Sequence, residues 1–229
     1  GGASKLQGSI ITFDADEEIF KEIKYDFDRV VTKLRQQAYL VKSMRVTIID
    51  AREYTGKIET DGVMYLREQR LEAPSVTFYF EGGLISLIRF YNQRQKSLHK
   101  SIFYIEKEID NVAVEVALQY VDDITPRTLA FANNIYTPEG GTHITGFKTA
   151  LTRTVNAYAR KNNFVKESEE SFTGDDVLEG LTAVVSVKLP EIQFEGQTKA
   201  KLGSVEARGA VETVFGEAFS MFLEEHPDE

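Results

Sequence analysis

The sequence predicts an α+β fold, in which a mixed sheet is covered by helices and a long helix ends the chain. Three closely spaced segments alternate apolar and polar residues as strands do, and they span residues 101–109, 112–121 and 127–135. Two later segments instead place apolar residues at helical spacing: Phe147, Leu151, Val155 and Tyr158 in the first, Val211, Phe215, Ala218 and Phe222 in the second. Strands followed by such helices are typical of the α+β class.

The composition is that of a globular protein. The 229 residues are 42% hydrophobic and 28% charged, and no apolar run approaches the roughly 20 residues that a membrane-spanning helix needs. Residues 1–7 lack the apolar core of a signal peptide, and we interpret them as a loop stub or a cloning remnant. The absence of cysteine excludes disulfides and thiolate metal sites, so we expect a cytoplasmic protein. A net charge of −9 argues against a uniformly DNA-coating protein but is compatible with a local basic surface.

The first 50 residues alternate between strand and helix signals. Gly8–Phe13 is β-branched and apolar and predicts a buried strand, and Met44–Asp50 predicts another. Between them, four apolar residues at helical spacing predict a helix: Phe27, Val31, Leu34 and Ala38. Because such a unit is too small to fold alone, we interpret residues 1–50 as the end of a larger domain.

The remaining chain divides into a connecting segment and a second domain. Residues 51–74 carry two turn signals, at Thr55-Gly56 and Asp61-Gly62, and predict a hairpin and a connection. We expect residues 75–229 to form the α+β domain. It would comprise a strand from 75, a helix near 81–93, an antiparallel meander over 101–135, the first long helix, a buried strand over 181–189 and a final helix leading away.

The first long helix is strongly basic. From Gly140 to the end of the segment 139–161 there is no acidic residue, yet four cations are present: Lys148, Arg153, Arg160 and Lys161. Such a surface can bind the phosphates of DNA, and the alternative is a solvated helix whose cations pair with acids elsewhere in the fold. His143 has no partner at metal-ligand spacing, so we expect it to be structural.

Three polar stretches are structural by default. Thr173 can cap a short helix that begins with Asp175 and Asp176, and the glycines of 81–84 suit a tight entry into a helix. The loop 195–204, EGQTKAKLGS, does not have the glycine spacing of a phosphate-binding loop, and locally it is typical of a solvated turn.

Taken together, these stretches resemble the ATPase-bearing B subunits of bacterial DNA gyrase and of topoisomerase IV. The stretches that carry the resemblance are YFEGGL, VEVALQY, FANNIYTPEGGTHITGFKTALTRTVNAYAR and TGDDVLEGLTAVVSVKLPEIQFEGQTKAKLGS, at 79–84, 114–120, 131–160 and 173–204. The resemblance implies that the second domain is the transducer, which connects a GHKL-type ATPase domain to the DNA-cleavage core. It also implies the transducer fold, with its left-handed βαβ crossover.

The same resemblance implies roles for individual residues. Lys199 would meet the γ-phosphate of ATP, with Gln197 as a second polar contact and Thr198 beside them in the loop. Ser9, at a position where the family has threonine, and Ile11 would be a remnant of the adenine pocket. The four cations of the basic helix would face the cavity through which a DNA segment passes.

The resemblance also implies the ligands and partners of the intact subunit. ATP and Mg²⁺ would bind there, but none is expected in this stretch alone, because the family's upstream catalytic motifs have no counterpart in it. We therefore expect it to be inactive by itself, as part of an ATP-hydrolysing type II topoisomerase, an isomerase. The implied partners are a DNA duplex, the A subunit, the ATPase and cleavage domains of the same subunit, and a second copy in the ATP-bound enzyme. Two alternatives are a topoisomerase IV B-type subunit and a stand-alone nucleic-acid-binding α+β protein.

Overall fold

The computed structural model describes residue 11 and residues 13–59, 66–166 and 168–229. The chain forms two compact units, Gly1–Glu81 and Gly82–Glu229. The boundary lies after the strand that begins at residue 75, whereas the sequence pattern groups this strand with the second domain. No helix in the described ranges is long and apolar enough to cross a membrane.

In its described residues, the first unit contains one α-helix and a two-stranded sheet. Helix α1 spans Phe27–Leu40, and the Asp26 carboxylate caps it by accepting a hydrogen bond from the Arg29 amide at 3.1 Å. Strands β1, Arg45–Ile49, and β2, Ser75–Tyr79, pair antiparallel. The helix and both strands were predicted, although the sequence pattern assigned β2 to the second domain.

The predicted hairpin in residues 51–74 and the predicted strand at Gly8–Phe13 are not seen in the described residues. Within the described residues 51–59 there is no strand, and a short 3-10 helix occupies Leu66–Gln69, so the predicted hairpin is absent from the described part of this segment. Most of the predicted strand at Gly8–Phe13 lies outside the described residues. Ile11 and Phe13, which are described, are exposed and not in a strand.

The second unit is built on a five-stranded mixed sheet, as the predicted fold class requires. The strands are β3 (Phe103–Ile109), β4 (Val112–Tyr120), β5 (Arg127–Ala132), β6 (Ile135–Tyr136) and β7 (Leu181–Lys188). Their order in the sheet is β3-β4-β7-β5-β6. The predicted meander over 101–135 is wrong because β7 lies between β4 and β5, antiparallel to the first and parallel to the second.

Three helices cover this sheet. Helix α2, Gly83–Asn92, lies on β4 and β7 and buries Leu84, Leu87 and Ile88. Helices α3, Thr142–Lys161, and α4, Glu206–Glu225, pack against each other, and their aromatic residues join the main core.

The contact between α3 and α4 is close. A Cβ added at Gly146 on α3 would lie 2.5 Å from the backbone oxygen of Arg208 on α4, so only glycine fits there. The rings of Phe147 and Phe215 are 4.7 Å apart between centroids. The final helix therefore packs along the domain instead of leading away from it, and Glu229 beyond its end accepts a hydrogen bond from the Ser101 amide at 2.8 Å.

Candidate functional site

The loop between β7 and α4 presents three adjacent polar side chains. The Lys199 amide donates to the Gly196 carbonyl at 3.0 Å and closes a tight turn around Gln197 and Thr198. The side chains of all three turn residues are exposed. The backbone of Lys199 has φ 55°, a left-handed conformation that costs a non-glycine residue about 1 kcal/mol. The surrounding loop must hold this conformation.

Hydrogen bonds at the base of the loop supply that support. The Gly203 amide donates to the Gln193 carbonyl at 2.8 Å, and the Gln193 amide donates to the Ser204 hydroxyl at 2.9 Å. One step further out, the Glu195 amide donates to the Lys201 carbonyl at 3.0 Å, and their side chains form an ion pair at 2.9 Å. The loop is therefore closed at its neck, with its tip free.

The returning side of the loop also pairs with the segment that leads into α3. The Glu139 amide donates to the Ala200 carbonyl at 2.9 Å, and the Leu202 amide donates to the Gly140 carbonyl at 3.0 Å. Gly141 has φ 131°, and a Cβ there would lie 2.3 Å from the Leu202 oxygen, so this approach requires glycine. The loop and the start of α3 are thereby connected through their backbones.

The charge of Lys199 is available at the surface. Its ammonium lies 5.9 Å from the centroid of the Phe194 ring, at the outer limit of a cation–π contact. In the described ranges Lys199 forms no ion pair, whereas Lys201, two residues on, is paired with Glu195. An incoming anion at the loop tip would therefore meet an uncompensated cation.

The four cations of α3 fall into two classes. Arg160 donates to the Ser171 hydroxyl at 2.8 Å, and Lys161 forms an ion pair with Glu224 of α4 at 2.7 Å. Lys148 and Arg153 are exposed, and no ion pair of theirs occurs among the described residues. The alternative of internal pairing with an acid thus holds for Lys161, while Lys148 and Arg153 remain open to a ligand.

His143 lies in the first turn of α3 and is fully buried. Its Nε2 is 3.4 Å from the Thr137 hydroxyl, and burial lowers the pKa of His143 to about 4. The described part of the chain contains no group of side chains that could hold a metal. The His143 ring is part of the buried packing at the start of α3, beside Thr137.

One of the two acids at the start of the short helix Asp176–Leu178, Asp176, has a structural role. The amide and hydroxyl of Thr173 both donate to Asp176 Oδ2 at 2.7 Å. These bonds hold the pKa of Asp176 below its usual value.

Two predicted site residues lie far from this loop in the sequence. Ser9 is outside the described residues, and the Ile11 side chain is exposed.

Sequence reasoning missed two residues that hold the loop, Gly141 and Thr142. The available signal was the glycine pair directly before a helix, which indicates a close backbone approach.

Comparison with known proteins gives consistent results. A family model described as DNA gyrase B matches residues 83–229. The chain is 44% identical over 228 residues to the DNA gyrase B protein of Bacillus mycoides, covering 99% of the chain and 52% of that relative. It is 45% identical to the corresponding gyrase protein of Halalkalibacterium halodurans, with coverages of 99% and 33%. The chain thus spans between a third and about half of the length of these relatives.

Solved structures show the same similarity. The 43K ATPase domain of Thermus thermophilus gyrase B, determined in complex with an aminocoumarin, matches with a TM-score of 0.75 and 36% identity over 93% of this chain and 52% of that one. The B-subunit of the DNA gyrase from Myxococcus xanthus matches with a TM-score of 0.72 and 25% identity, over 93% and 61%.

Proposed function

Because the chain belongs to the DNA gyrase B family, we propose that it couples ATP binding and hydrolysis to DNA strand passage in an ATP-dependent type II DNA topoisomerase. The observation that carries the proposal is Lys199, an exposed cation held at φ 55° by a closed loop. Strained backbone of this kind clusters at functional sites. Family membership sets aside the stand-alone nucleic-acid-binding alternative, and the gyrase relatives favour gyrase over topoisomerase IV.

Lys199 would contact the γ-phosphate of ATP bound in the ATPase domain of the intact subunit. A lysine reaches a phosphate as a compact point charge and stabilises the charge that develops on the transferred phosphoryl group. Gln197 and Thr198, beside it in the turn, would add polar contacts, and Ser9 and Ile11 would belong to the adenine pocket. Mg²⁺ would neutralise the remaining phosphate charge when bound in the intact subunit.

A contact to the γ-phosphate alone makes the loop a switch. ATP would stabilise the arrangement in which Lys199 reaches the nucleotide, and ADP, which lacks that phosphate, would not. A ligand shifts a conformational equilibrium only by its difference in affinity for the two states, and here one charge-assisted contact supplies that difference.

The exposed cations of α3 would contact the transported DNA duplex. Lys148 and Arg153 can bind phosphates without reading the base sequence, and Arg160 and Lys161 extend the same basic helix. The remaining partners would be the A subunit, the other domains of the same subunit and a second copy in the ATP-bound enzyme. The protein would work in the cytoplasm.

The proposal is tested by Lys199→Ala in a full-length subunit that carries this sequence, assembled with its A subunit. We expect ATP turnover to fall by about 10²-fold or more, because a positioned cation is removed from the reacting phosphate. Affinity for ADP should be unchanged. The matched control is Lys201→Ala, which removes a lysine from the same loop that is already paired with Glu195. Near-normal turnover of the Lys199 variant would refute the proposal, and equal loss of ADP and ATP-analogue binding would indicate a damaged pocket instead.

A further inference from the structure

Thr142, the first residue of α3, makes two hydrogen bonds to the chain that returns from the Lys199 loop. Its hydroxyl donates to the Ser204 carbonyl at 2.6 Å, and its amide donates to the Leu202 carbonyl at 3.1 Å. Ser204 is buried, and its own hydroxyl closes the neck of the loop. We call these two bonds the Thr142 clamp.

The clamp sits at the point where three elements meet. The Lys199 loop ends at Ser204, α4 begins at Glu206, and α3 begins at Thr142 itself. A displacement of the loop must therefore carry the start of α3 with it or break the clamp.

The helix that the clamp holds also carries the exposed cations. Lys148 and Arg153 lie six and eleven residues along α3 from the clamp, within one continuous helix. A helix transmits a displacement of its first turn along its axis because its internal hydrogen bonds resist bending. The connection from the loop tip to the basic surface thus runs along the loop backbone, across the hydrogen bonds of the clamp and along α3.

We propose that Thr142 is a positioning residue that makes the Lys199 loop and α3 move as one body. It thereby sets the coupling between the γ-phosphate contact and the DNA-facing helix, and in this respect the inference rests on the proposed function. Thr142 is not one of the residues proposed to contact the nucleotide or the DNA. Its hydroxyl acts by holding the loop neck, and valine, which has the same shape without the donor, removes that action.

The first experiment measures hydrogen–deuterium exchange on this 229-residue chain with Thr142→Val, Thr142→Ser and Thr145→Val. Thr145 lies in the same turn, but its hydroxyl donates only locally, to the Gly141 carbonyl at 3.2 Å. In Thr142→Val, the Leu202 and Glu139 amides should exchange about tenfold faster, the equilibrium effect of one lost hydrogen bond, while the middle of α3 stays protected. The serine variant and the Thr145 control should match wild type.

Unchanged amide exchange at Leu202 and Glu139 in Thr142→Val would overturn the inference, independently of any result on the full-length enzyme. If the valine variant instead loses protection throughout the domain, the test is the exchange rate of the same amides in Thr142→Ser. Because serine keeps the hydroxyl, faster exchange in that variant would also overturn the inference.

The second experiment measures ATP hydrolysis with and without DNA by a full-length subunit assembled with its A subunit. Thr142→Val should lower the ratio of DNA-stimulated to basal rate by about fivefold or more, and Thr142→Ser should restore it. General destabilisation would lower both rates together and leave the ratio unchanged, and an unchanged ratio would overturn the inference. If Lys199→Ala abolishes ATP turnover while Thr142→Val keeps the wild-type ratio of DNA-stimulated to basal rate, only this inference fails. If Lys199→Ala keeps its turnover, the proposed function fails, and this inference fails with it.

Discussion

The buried histidine at the start of α3 should make the stability of the domain depend on pH. His143 is completely buried, and its Nδ1 has no hydrogen-bond partner within the described ranges. Charging the ring would place a cation in a site without solvent or a counter-charge. Burial accordingly lowers the pKa of His143 from 6.5 to about 4.

The direction of the effect follows from proton uptake by the two states. Between pH 6.5 and 4 the unfolded chain binds a proton at His143 that the folded chain does not bind. Stability is therefore fully present above pH 6.5 and is lost as the pH falls towards 4. Between pH 7.5 and 5 the loss is roughly 2 kcal/mol from this residue, which corresponds to a decrease of roughly 4–8 °C in Tm for a domain of this size.

The assay is thermal unfolding followed by circular dichroism at about pH 7.5 and about pH 5, for wild type and His143→Gln. Glutamine does not titrate, so the variant should lose this part of the pH dependence even though it is less stable near neutral pH. Thr137→Val is the control, because it removes the hydroxyl 3.4 Å from the ring and leaves the histidine in place. The pKa of His99 is also lowered by burial, but His99 is present in all three proteins and its effect cancels. An equal decrease in Tm for wild type and His143→Gln would refute the reasoning.

Three further predictions concern binding and backbone geometry. The chain alone should neither hydrolyse ATP nor bind it tightly, because Ser9, Ile11 and the loop around Lys199 would make only part of the contacts that orient a triphosphate and its metal. Micromolar affinity by calorimetry would contradict this. Lys148→Glu or Arg153→Glu should weaken duplex binding equally across sequences and reduce the salt dependence by about one counterion each, as measured by fluorescence anisotropy; an unchanged salt slope would reduce α3 to a structural element. Gly141→Ala should destabilise the domain by roughly 2–4 kcal/mol in urea unfolding because its Cβ meets the Leu202 backbone, whereas Gly209→Ala, with open space around it, should stabilise α4 by roughly 0.5–1 kcal/mol.

The helices of this protein could be predicted from the sequence because their apolar residues recur at helical spacing. Phe147 and Leu151 point to the core, as their spacing predicted, and so do Val211 and Phe215. The order of the strands could not be read in the same way. Consecutive strands usually pair, and this tendency predicted the meander. The strand between β4 and β5 is β7, which lies about fifty residues further along the chain. It is buried on both faces of the sheet and pairs with β4 on one side and β5 on the other, so no local pattern indicates its position.

The candidate site was predictable only in part. Local spacing around Lys199 is typical of a solvated turn, and only the family resemblance indicated a phosphate contact. The left-handed backbone at Lys199 and the pairing of the loop with residues 139–142 depend on the tertiary structure. Thr142 was missed because a threonine at the start of a helix is typical of a local cap. Its hydroxyl instead donates to a carbonyl 62 residues away, a contact that no local pattern encodes.

The same geometry explains how a contact at the loop tip can reach the basic surface without rearrangement inside the helix pair. The Thr142 clamp fastens the start of α3 to the neck of the loop, two residues before α4 begins, and an ion pair between Lys161 and Glu224 at 2.7 Å joins the far ends of the two helices. An exposed ion pair of this kind contributes at most about 1 kcal/mol, so the close packing at Gly146 and the buried aromatic residues between the ends provide most of the rigidity. Lys148 and Arg153 lie between the two fastenings. A force applied at Lys199 would therefore move both cations together with α3 and α4. The proposed coupling of the nucleotide contact to the DNA-facing helix would then be a rigid-body displacement of this helix pair.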